Sequence, residues 1–523
     1  MQTPHPQNDI EKLKAERNGL DLLPELPRLA ATPWQEIPTP DRDARLKWLG
    51  VFFRKRTPGD FMMRIRITNG RSNSAQFRTL ADIAERLGNG VLEITTRQQI
   101  ELRAVKVKDL PEIFDALRSV DLSSLQTGMD NIRNVNTCPM AGLTPQELFD
   151  ASPVGEQLTK IFLGNKDFAN LPRKCNVTIT GCLENCTHAD TQDVCMTPAV
   201  KDQDGQSIPG FNVAVGGKMG SGGMRLATPI DVFVTPAEAA LLAAEIILIF
   251  RDEGPRGMSR ARVRLAFLVD EWGGERFRDV LEGRWGKPLT RAGRDVRLHR
   301  HNDHMGVQTQ KDGRVAVGQC VPVGRVNAAH MREWARLADL YSGGAIRLTT
   351  AQNVILPNVS KDQVKALLEE PLLQEFMPDP HPVKRGLVSC IGTDYCSLAL
   401  IETKGLAKEL ADKLEKMLPP DLPPVTMFWS GCAAACGNHQ AADIGFQGIK
   451  ANIDGKVVDA VHIFVGGRTG PDARPAEKIM ELVPVSLLPE VLPMLIRNLP
   501  MLKRVRRDRA AERVMMLPAE PVY

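Results

Sequence analysis

Apolar and polar positions follow a helical period and then an alternating one, and the chain does this twice. From Leu80 to Arg103, L-A-D-I-A-E-R-L-G-N-G-V-L-E-I-T-T-R-Q-Q-I-E-L-R reads as an amphipathic helix, a glycine turn and a half-buried strand. From Trp334 to Pro357, W-A-R-L-A-D-L-Y-S-G-G-A-I-R-L-T-T-A-Q-N-V-I-L-P repeats that order. Further on, T-G-C-L-E-N-C (Thr180 to Cys186) parallels S-G-C-A-A-A-C (Ser430 to Cys436) at an offset of 250. F-N-V-A-V-G-G-K-M-G (Phe211 to Gly220) parallels V-H-I-F-V-G-G-R-T-G (Val461 to Gly470) at the same offset. The chain is an internal duplication, each half a small α+β module followed by a larger one. A duplication of this kind can hold one cofactor at its pseudo-twofold junction, where clefts form.

The repeat predicts boundaries at 1–45, 46–125, 126–295, 296–375 and 376–523. The first stretch is rich in proline (Pro24, Pro27, Pro33, Pro38, Pro40) and reads as an extended arm wrapping the body. The halves divide near Arg291–Asn302, beside His299, His301 and His304; their spacing suits no helical ligand pair, so an exposed linker is expected. Thr235-Pro236-Ala237-Glu238 opens a helix through the apolar run Ala239–Phe250 to Gly254, too short and too interrupted by Glu245 to span a bilayer.

With 523 residues, 43% hydrophobic and 25% charged, the chain is long enough for two or three packed cores. A net charge of +4 does not point to nucleic acid. The basic groups Arg64/Arg66/Arg71 and Lys503, Arg504, Arg506, Arg507, Arg509 read first as solvated faces. No apolar leader or transit segment is visible, so the expectation is a cytoplasmic protein whose ten cysteines are thiols and metal ligands rather than disulfides. Gly216–Gly223 (G-G-K-M-G-S-G-G) does not fit a dinucleotide loop, and no nicotinamide or flavin module is apparent.

Two cysteine pairs carry the chemistry. Cys390 and Cys396 (S-C-I-G-T-D-Y-C) precede Cys432 and Cys436 (W-S-G-C-A-A-A-C-G-N-H-Q), the latter after a strand-like V-T-M-F-W run. C-x5-C with C-x3-C suits an iron–sulfur cluster better than zinc. Four unrelated buried thiols is the competing reading, because free cysteine packs as a small apolar residue.

This pattern, followed by A-D-I-G-F, resembles the nitrite/sulfite reductase family, over about residues 10 to 515. The resemblance implies an α+β, internally duplicated, pseudo-twofold fold of mixed and antiparallel sheets with helices. In it, 46–125 and 296–375 are ferredoxin-like half-domains, 126–295 binds sirohaem and 376–523 carries the cluster. It implies a [4Fe-4S] cluster on Cys390, Cys396, Cys432 and Cys436, with Cys436 also the axial ligand of sirohaem iron. The family usually has Pro-Asn-Ser or Pro-Asn-Gly between the last two cysteines, where this chain has Ala433-Ala434-Ala435, so another group must replace that Asn. Cys138, Cys182 and Cys186 match three of four ligand positions in the first half, with Thr144 near the fourth and Cys175 and Cys195 close by. Since the family uses one cluster, they read as a relic of duplication.

Sirohaem carries eight carboxylates, so guanidinium forks suit its pocket. Arg64 and Arg66 share one face of a strand; Arg97 stands where the second half has Ala351; Arg133, Arg173, Lys174 and Asn176 follow in D-N-I-R-N and L-P-R-K-C-N. By resemblance, Arg64, Arg133, Lys174 and Asn176 surround the substrate, while Arg97, Arg173 and Arg66 hold cofactor carboxylates. The expected reaction is six-electron reduction of nitrite to ammonia, in nitrate assimilation, by a monomer fed by reduced ferredoxin or flavodoxin. An assimilatory sulfite reductase is the alternative, and a corrin-pathway relative without sirohaem a third reading. Sulfite-reducing members typically show Lys-x-Lys at the substrate face. Lys174-Cys175-Asn176 puts a neutral amide at the second position and favours the lighter charge of nitrite.

Overall fold

The computed structural model describes residues 8–257 and 259–515, with side chains through Leu502. Four sheets carry the fold, and they come as two pairs in the same order. The first small sheet is antiparallel and contains Phe61–Ile65, Ile100–Val105 and Val91–Ile94; its counterpart contains Val315–Gln319, Val354–Val359 and Ala345–Leu348. Each larger sheet is mixed. Cys175–Ile179 runs parallel to Ile132–Asn136 and to Val194–Gln203, and three antiparallel strands complete the sheet. In the second half, Met427–Ser430 lies parallel to Leu387–Ser389 and Ile444–Ile453.

The small sheets exchange their edges. Arg325–Asn327 pairs with Val91–Ile94, Arg325 opposite Glu93, and Arg71–Asn73 pairs with Ala345–Leu348, Arg347 opposite Arg71. Each exchanged strand runs straight into a helix, Ser74–Leu87 or Ala328–Tyr341, whose N-cap is Asn73 or Asn327; the Asn oxygen accepts the amide of the third helical residue. The apolar stripes of these helices (Phe77, Leu80, Ile83; Met331, Trp334, Leu337) enter one shared core with both small sheets. The two predicted half-domains are thus one packed body, because every small sheet is completed by the other half's chain.

Glu93 makes the exchange electrostatic as well. It is 2% exposed and pairs with Arg325 across the exchanged strand at 2.8 Å and with Lys404 of the second half at 2.5 Å. Lys404, also buried, donates to the Val323 carbonyl.

The proline-rich N-terminus is not an extended arm. Asp9–Glu16, Gly19–Glu25, Leu26–Ala31 and Thr39–Asp43 are short helical segments, and Leu20, Leu22, Leu26, Leu29 and Ile37 join the shared core. Pro27 and Pro40 sit in the first helical turn, where a missing N–H costs nothing, so they start helices rather than prevent them. The predicted helix after Thr235 spans Pro236–Glu253 and is buried. The last helix, Leu488–Met515, overlaps a segment (Val485–Leu502) apolar and long enough to cross a membrane, yet Leu488, Leu492, Ile496 and Leu499 face the second half's core. Side chains of the basic run Lys503–Arg509 lie outside the described residues.

Replacing Glu93 by Gln leaves the buried Lys404 ammonium without its counter-charge. The expected loss is about 3 kcal/mol, read as a lower urea midpoint with secondary structure in the native state retained. An unchanged midpoint would mean that this ion pair does not tie the halves together.

Candidate active site

Parallel pairing brings the second-half cysteines together. Leu387–Ser389 and Met427–Ser430 end side by side, Ser389 in register with Trp429, so Cys390 emerges next to the turn that carries Cys432 and Cys436. The Cys390 amide donates to the Trp429 carbonyl at 2.9 Å, and the Gly431 amide to Cys390 Sγ at 3.1 Å. Gly437 closes the turn where any Cβ would stand 1.9 Å from the Trp429 carbonyl oxygen, so only glycine fits. Cys390 is pushed up to about 11 by burial and then by the charge of Cys436; the Gly431 and Gly392 amides oppose this. Cys432 is raised, by burial first and then by Cys436 and Cys396, so the charge of Cys436 reaches both Cys390 and Cys432. Cys390, Cys396 and Cys432 are half-buried and Cys436 is exposed, turned toward a cavity.

That cavity draws on both halves. Arg97 comes from the turn before Ile100–Val105, Lys174 and Asn176 from the start of the strand Cys175–Ile179, and Cys436 from the second half. Thr96 Oγ1 donates to the Cys436 carbonyl at 3.3 Å, joining the two loops. Asn136, Gln192, Ala434, Ala435 and Asn438 also line it, and among the described residues no carboxylate does. Asn438 therefore offers an amide to the same space, two residues past Cys436, where Ala434 has none. The side-chain oxygens of Asn176 and Asn136 are buried without a hydrogen-bond partner.

Like charges crowd this cavity. Lys174 is held well below the ordinary lysine range by burial, then by Arg97, Arg264 and Arg133, with Cys436 pulling the other way. Arg133 is lowered by burial and then by Arg64, Arg97 and Arg173. Arg97 is lowered by burial, against the charge of Cys436. A concentration of cations with orphaned amide oxygens and one exposed thiol suits a polyanionic prosthetic group with a thiolate ligand, plus a small anion beside it.

The arginines expected from the sequence take distinct places. Arg64 donates to Glu101 at 2.7 and 2.9 Å and to the Thr127 carbonyl at 3.0 Å. Burial would raise the Glu101 carboxyl, but Arg103, Arg64 and Arg54 outweigh it and hold it at about 2. Arg66 donates to the carbonyls of Arg133, Leu125 and Ile132, so its guanidinium braces the strand Ile132–Asn136 from behind. Arg133 is clasped by the Met129 carbonyl at 2.9 Å. Arg173 leans on Asp130 at 3.7 Å. Arg97, expected to hold cofactor carboxylates, lines the same cavity as Lys174 and Asn176. Sequence reasoning missed Arg54, which acts on Glu101, Arg260, which acts on Arg173, and Arg264, which acts on Lys174; Lys218 in turn feels Arg264. Arg264 grips Asp193 at 2.6 and 3.0 Å, and Asp193 accepts the Asn176 amide at 2.8 Å. The R-A-R-V-R run at 260–264 and the lysine of G-G-K-M-G were the available signals.

A second cleft lies across the pseudo-twofold. Asp443 accepts the Thr426 amide as Asp193 accepts that of Asn176, which fixes the register of the repeat at 250. Pro424, Thr426 and Ala351 there replace Lys174, Asn176 and Arg97, and the cavity of about 570 Å³ opens on Asn185 and His188. It is the larger space, and Arg300, Arg385, Arg468 and Arg474 line it together with the carboxylates Asp303, Asp443 and Asp472. Beside it lie the first-half cysteines. The Thr144 hydroxyl, near the fourth repeat position, accepts the Gln146 amide at 3.1 Å. His304 is not in an exposed linker; it is 2% exposed and meets Cys138, Cys182 and Cys186. Cys175 and Cys195 lie buried within sheet strands.

Comparison with known proteins agrees with the duplicated architecture. Residues 128–289 and 382–517 match the nitrite and sulphite reductase 4Fe-4S domain, and 53–120 and 307–373 match the nitrite/sulfite reductase ferredoxin-like half domain. The chain is 44% identical over 498 residues to the ferredoxin–nitrite reductase of Synechococcus elongatus, covering 94% of this chain and 96% of the relative. It is 41% identical to the chloroplastic ferredoxin–nitrite reductase of Zea mays, covering 96% and 91%. The solved structure of Mycobacterium tuberculosis NirA superposes with a TM-score of 0.88 at 28% identity, covering 94% of this chain and 93% of that one.

Arg66 and Lys174 separate by measurement. Arg66→Met strands three buried carbonyls and lowers the unfolding midpoint, whereas Lys174→Met removes a cation facing the cavity and weakens binding of a small anion about tenfold with the midpoint kept. Anion titration beside thermal unfolding checks both, and equal midpoints for the two variants would contradict the division.

Proposed function

Because the chain belongs to the nitrite and sulphite reductase family, we propose that it reduces nitrite to ammonia with electrons from reduced ferredoxin. The family carries sirohaem and a [4Fe-4S] cluster. The cations and orphaned amides around Cys436, with no carboxylate lining that space, suit the carboxylates of the sirohaem, and Cys390, Cys396, Cys432 and Cys436, carried on neighbouring loops, would hold the cluster. When bound, these groups supply an iron site for nitrite and one-electron delivery to it.

The chain's own part is binding and charge. Cys436, exposed into the cavity, would offer its thiolate as a ligand to the metal of these groups. Arg97 and Lys174 face the anion as fixed positive charges, already poised before substrate arrives. Arg133 is held by the Met129 carbonyl so that its charge adds to theirs, and Arg64, Arg66 and Arg173 support the wall. Lys174, desolvated among other cations, gives up a proton more readily than a surface lysine and is the candidate proton donor.

One observation carries the choice of substrate. Asn176 lies in the cavity beside Lys174, where sulfite-reducing members have a second lysine. An amide can donate to a nitrite oxygen without the added attraction for a dianion. Nitrite turnover should therefore clearly exceed sulfite turnover with one artificial one-electron reductant. Asn176→Lys should move the ratio toward sulfite by about 1–3 kcal/mol in transition-state energy. A wild-type enzyme preferring sulfite would overturn the assignment.

The donor's docking face follows from the cluster loop. Exposed Arg56 donates to the Cys396 carbonyl at 3.0 Å, and Lys55 beside it is exposed too. Leu398 next to them is 72% exposed. Ferredoxins are acidic, so the ferredoxin-driven rate should fall with salt. Arg56→Glu should raise the KM for ferredoxin and flatten that salt dependence while leaving the rate with a small reductant unchanged; a KM that does not move would exclude this face.

A further inference from the structure

Cys138, Cys182, Cys186 and His304 are all buried, and their ligand atoms lie within 4.8 Å of one another. Cys138 Sγ stands 3.3 Å from His304 Nε2. Nothing in the nitrite chemistry uses them. They come from three places: Cys138 follows the strand Ile132–Asn136, Cys182 and Cys186 flank the turn after Cys175–Ile179, and His304 ends the segment between the halves.

We propose that these four residues form a second, mononuclear metal site holding one zinc ion in a closed tetrahedron of three thiolates and one imidazole. Geometry decides between zinc and a second cluster. Zn–S bonds of about 2.3 Å put tetrahedral sulfurs about 3.8 Å apart, which the present spacing accepts. A four-iron cluster stands between its thiolates and holds them further apart. Among the described residues, this is the one Cys/His/carboxylate group closing within 4.8 Å; the Cys390–Cys436 set does not close so tightly.

The surroundings suit a metal-bound imidazole. His304 Nδ1 lies 3.2 Å from Gln308 Oε1, and the Gln308 amide nitrogen is turned away, toward the Met305 carbonyl and Asn302 Oδ1. A proton is thus fixed on Nδ1 and the Nε2 lone pair is directed at the thiols, the usual outer support of a histidine ligand. The Glu184 amide approaches Cys182 Sγ at 3.4 Å. Met140, Ala141, Ala316 and Ile355 pack against the cysteines on one side, Cys186 and His304 border the large cavity on the other, and the four protein ligands complete the tetrahedron by themselves.

The duplication explains why such a site exists. Cys182 and Cys186 occupy the repeat positions of Cys432 and Cys436, and Cys138 that of Cys390. Thr144 stands where the second half has Cys396, and His304 supplies the fourth ligand from outside the repeat. The ion would pin the segment between the halves to the Cys186 loop. Thr350 Oγ1 of the second half donates to the Cys186 carbonyl at 2.9 Å, so the site steadies the junction of the halves.

Metal analysis of the anaerobically purified holoenzyme tests this. One equivalent of zinc is expected besides the cluster and haem iron, released by a mercurial thiol reagent. His304→Ala should lose the zinc and lower the unfolding midpoint, with the cluster and haem absorption unchanged. His304→Cys should retain the zinc in an all-thiolate site, which a purely packing role for His304 would not give. Absence of zinc from wild type, extra iron in its place, or loss of cluster absorption in a folded Cys182→Ser variant would each overturn the proposal.

Discussion

The exchange of edge strands between the two small sheets is the constraint on which the rest of this molecule depends. A two-stranded edge left unpaired exposes backbone donors and acceptors, and each half covers the other's with three residues. The exchange carries the helices Ser74–Leu87 and Ala328–Tyr341 into contact and merges two cores into one. It also sets the turns that follow. Gln98 donates to the carbonyls of Leu348 and Thr137, and Gln352 reciprocally to those of Ile94 and Ser389. Those turns hold Arg97 and Ala351 against the opposite half's cysteine loops, so neither cleft exists within a single repeat.

Two equivalent clefts then diverged by few residues. Arg97, Lys174 and Asn176 on one side stand against Ala351, Pro424 and Thr426 on the other. Besides these three exchanges, the second cleft mixes arginines with carboxylates, whereas the first has cations and no carboxylate in its lining. The cysteine loops diverged in parallel. Asn185 and His188 keep the left-handed backbone of Ala435 and Asn438, yet one loop leaves Cys436 exposed and the other buries Cys186 beside a histidine. A turn geometry retained from duplication has been put to two kinds of metal chemistry.

The crowding of cations has a structural cost that the chain meets with carboxylates kept outside the cavity. Asp130 takes Arg260 and Arg173, Asp193 takes Arg264, and Glu101 takes Arg64 and Arg103. These pairs hold the outer arginines, while Arg97 and Lys174 face a space without a carboxylate. The arrangement keeps positive potential where a polyanionic group and a small anion meet, and its long-range order is invisible to any local motif.

Much was determined by the chain alone. The period change and the 250-residue offset revealed the duplication, because helices and strands announce themselves by local spacing. The cysteine spacing and the K-C-N tripeptide marked the chemistry, because ligands and anion-binding groups sit on short loops at fixed offsets. Only the tertiary structure decided which arginines face the cavity, since Arg64 and Arg66 found partners far away in sequence, at Glu101, Thr127 and Arg133. It alone turned the proline-rich start into core-packed helices, since burial of Leu20, Leu22 and Leu29 requires a partner surface that no local pattern reveals. It alone brought His304 to three cysteines distant in sequence, because that meeting depends on how the segment between the halves folds back onto the first sheet.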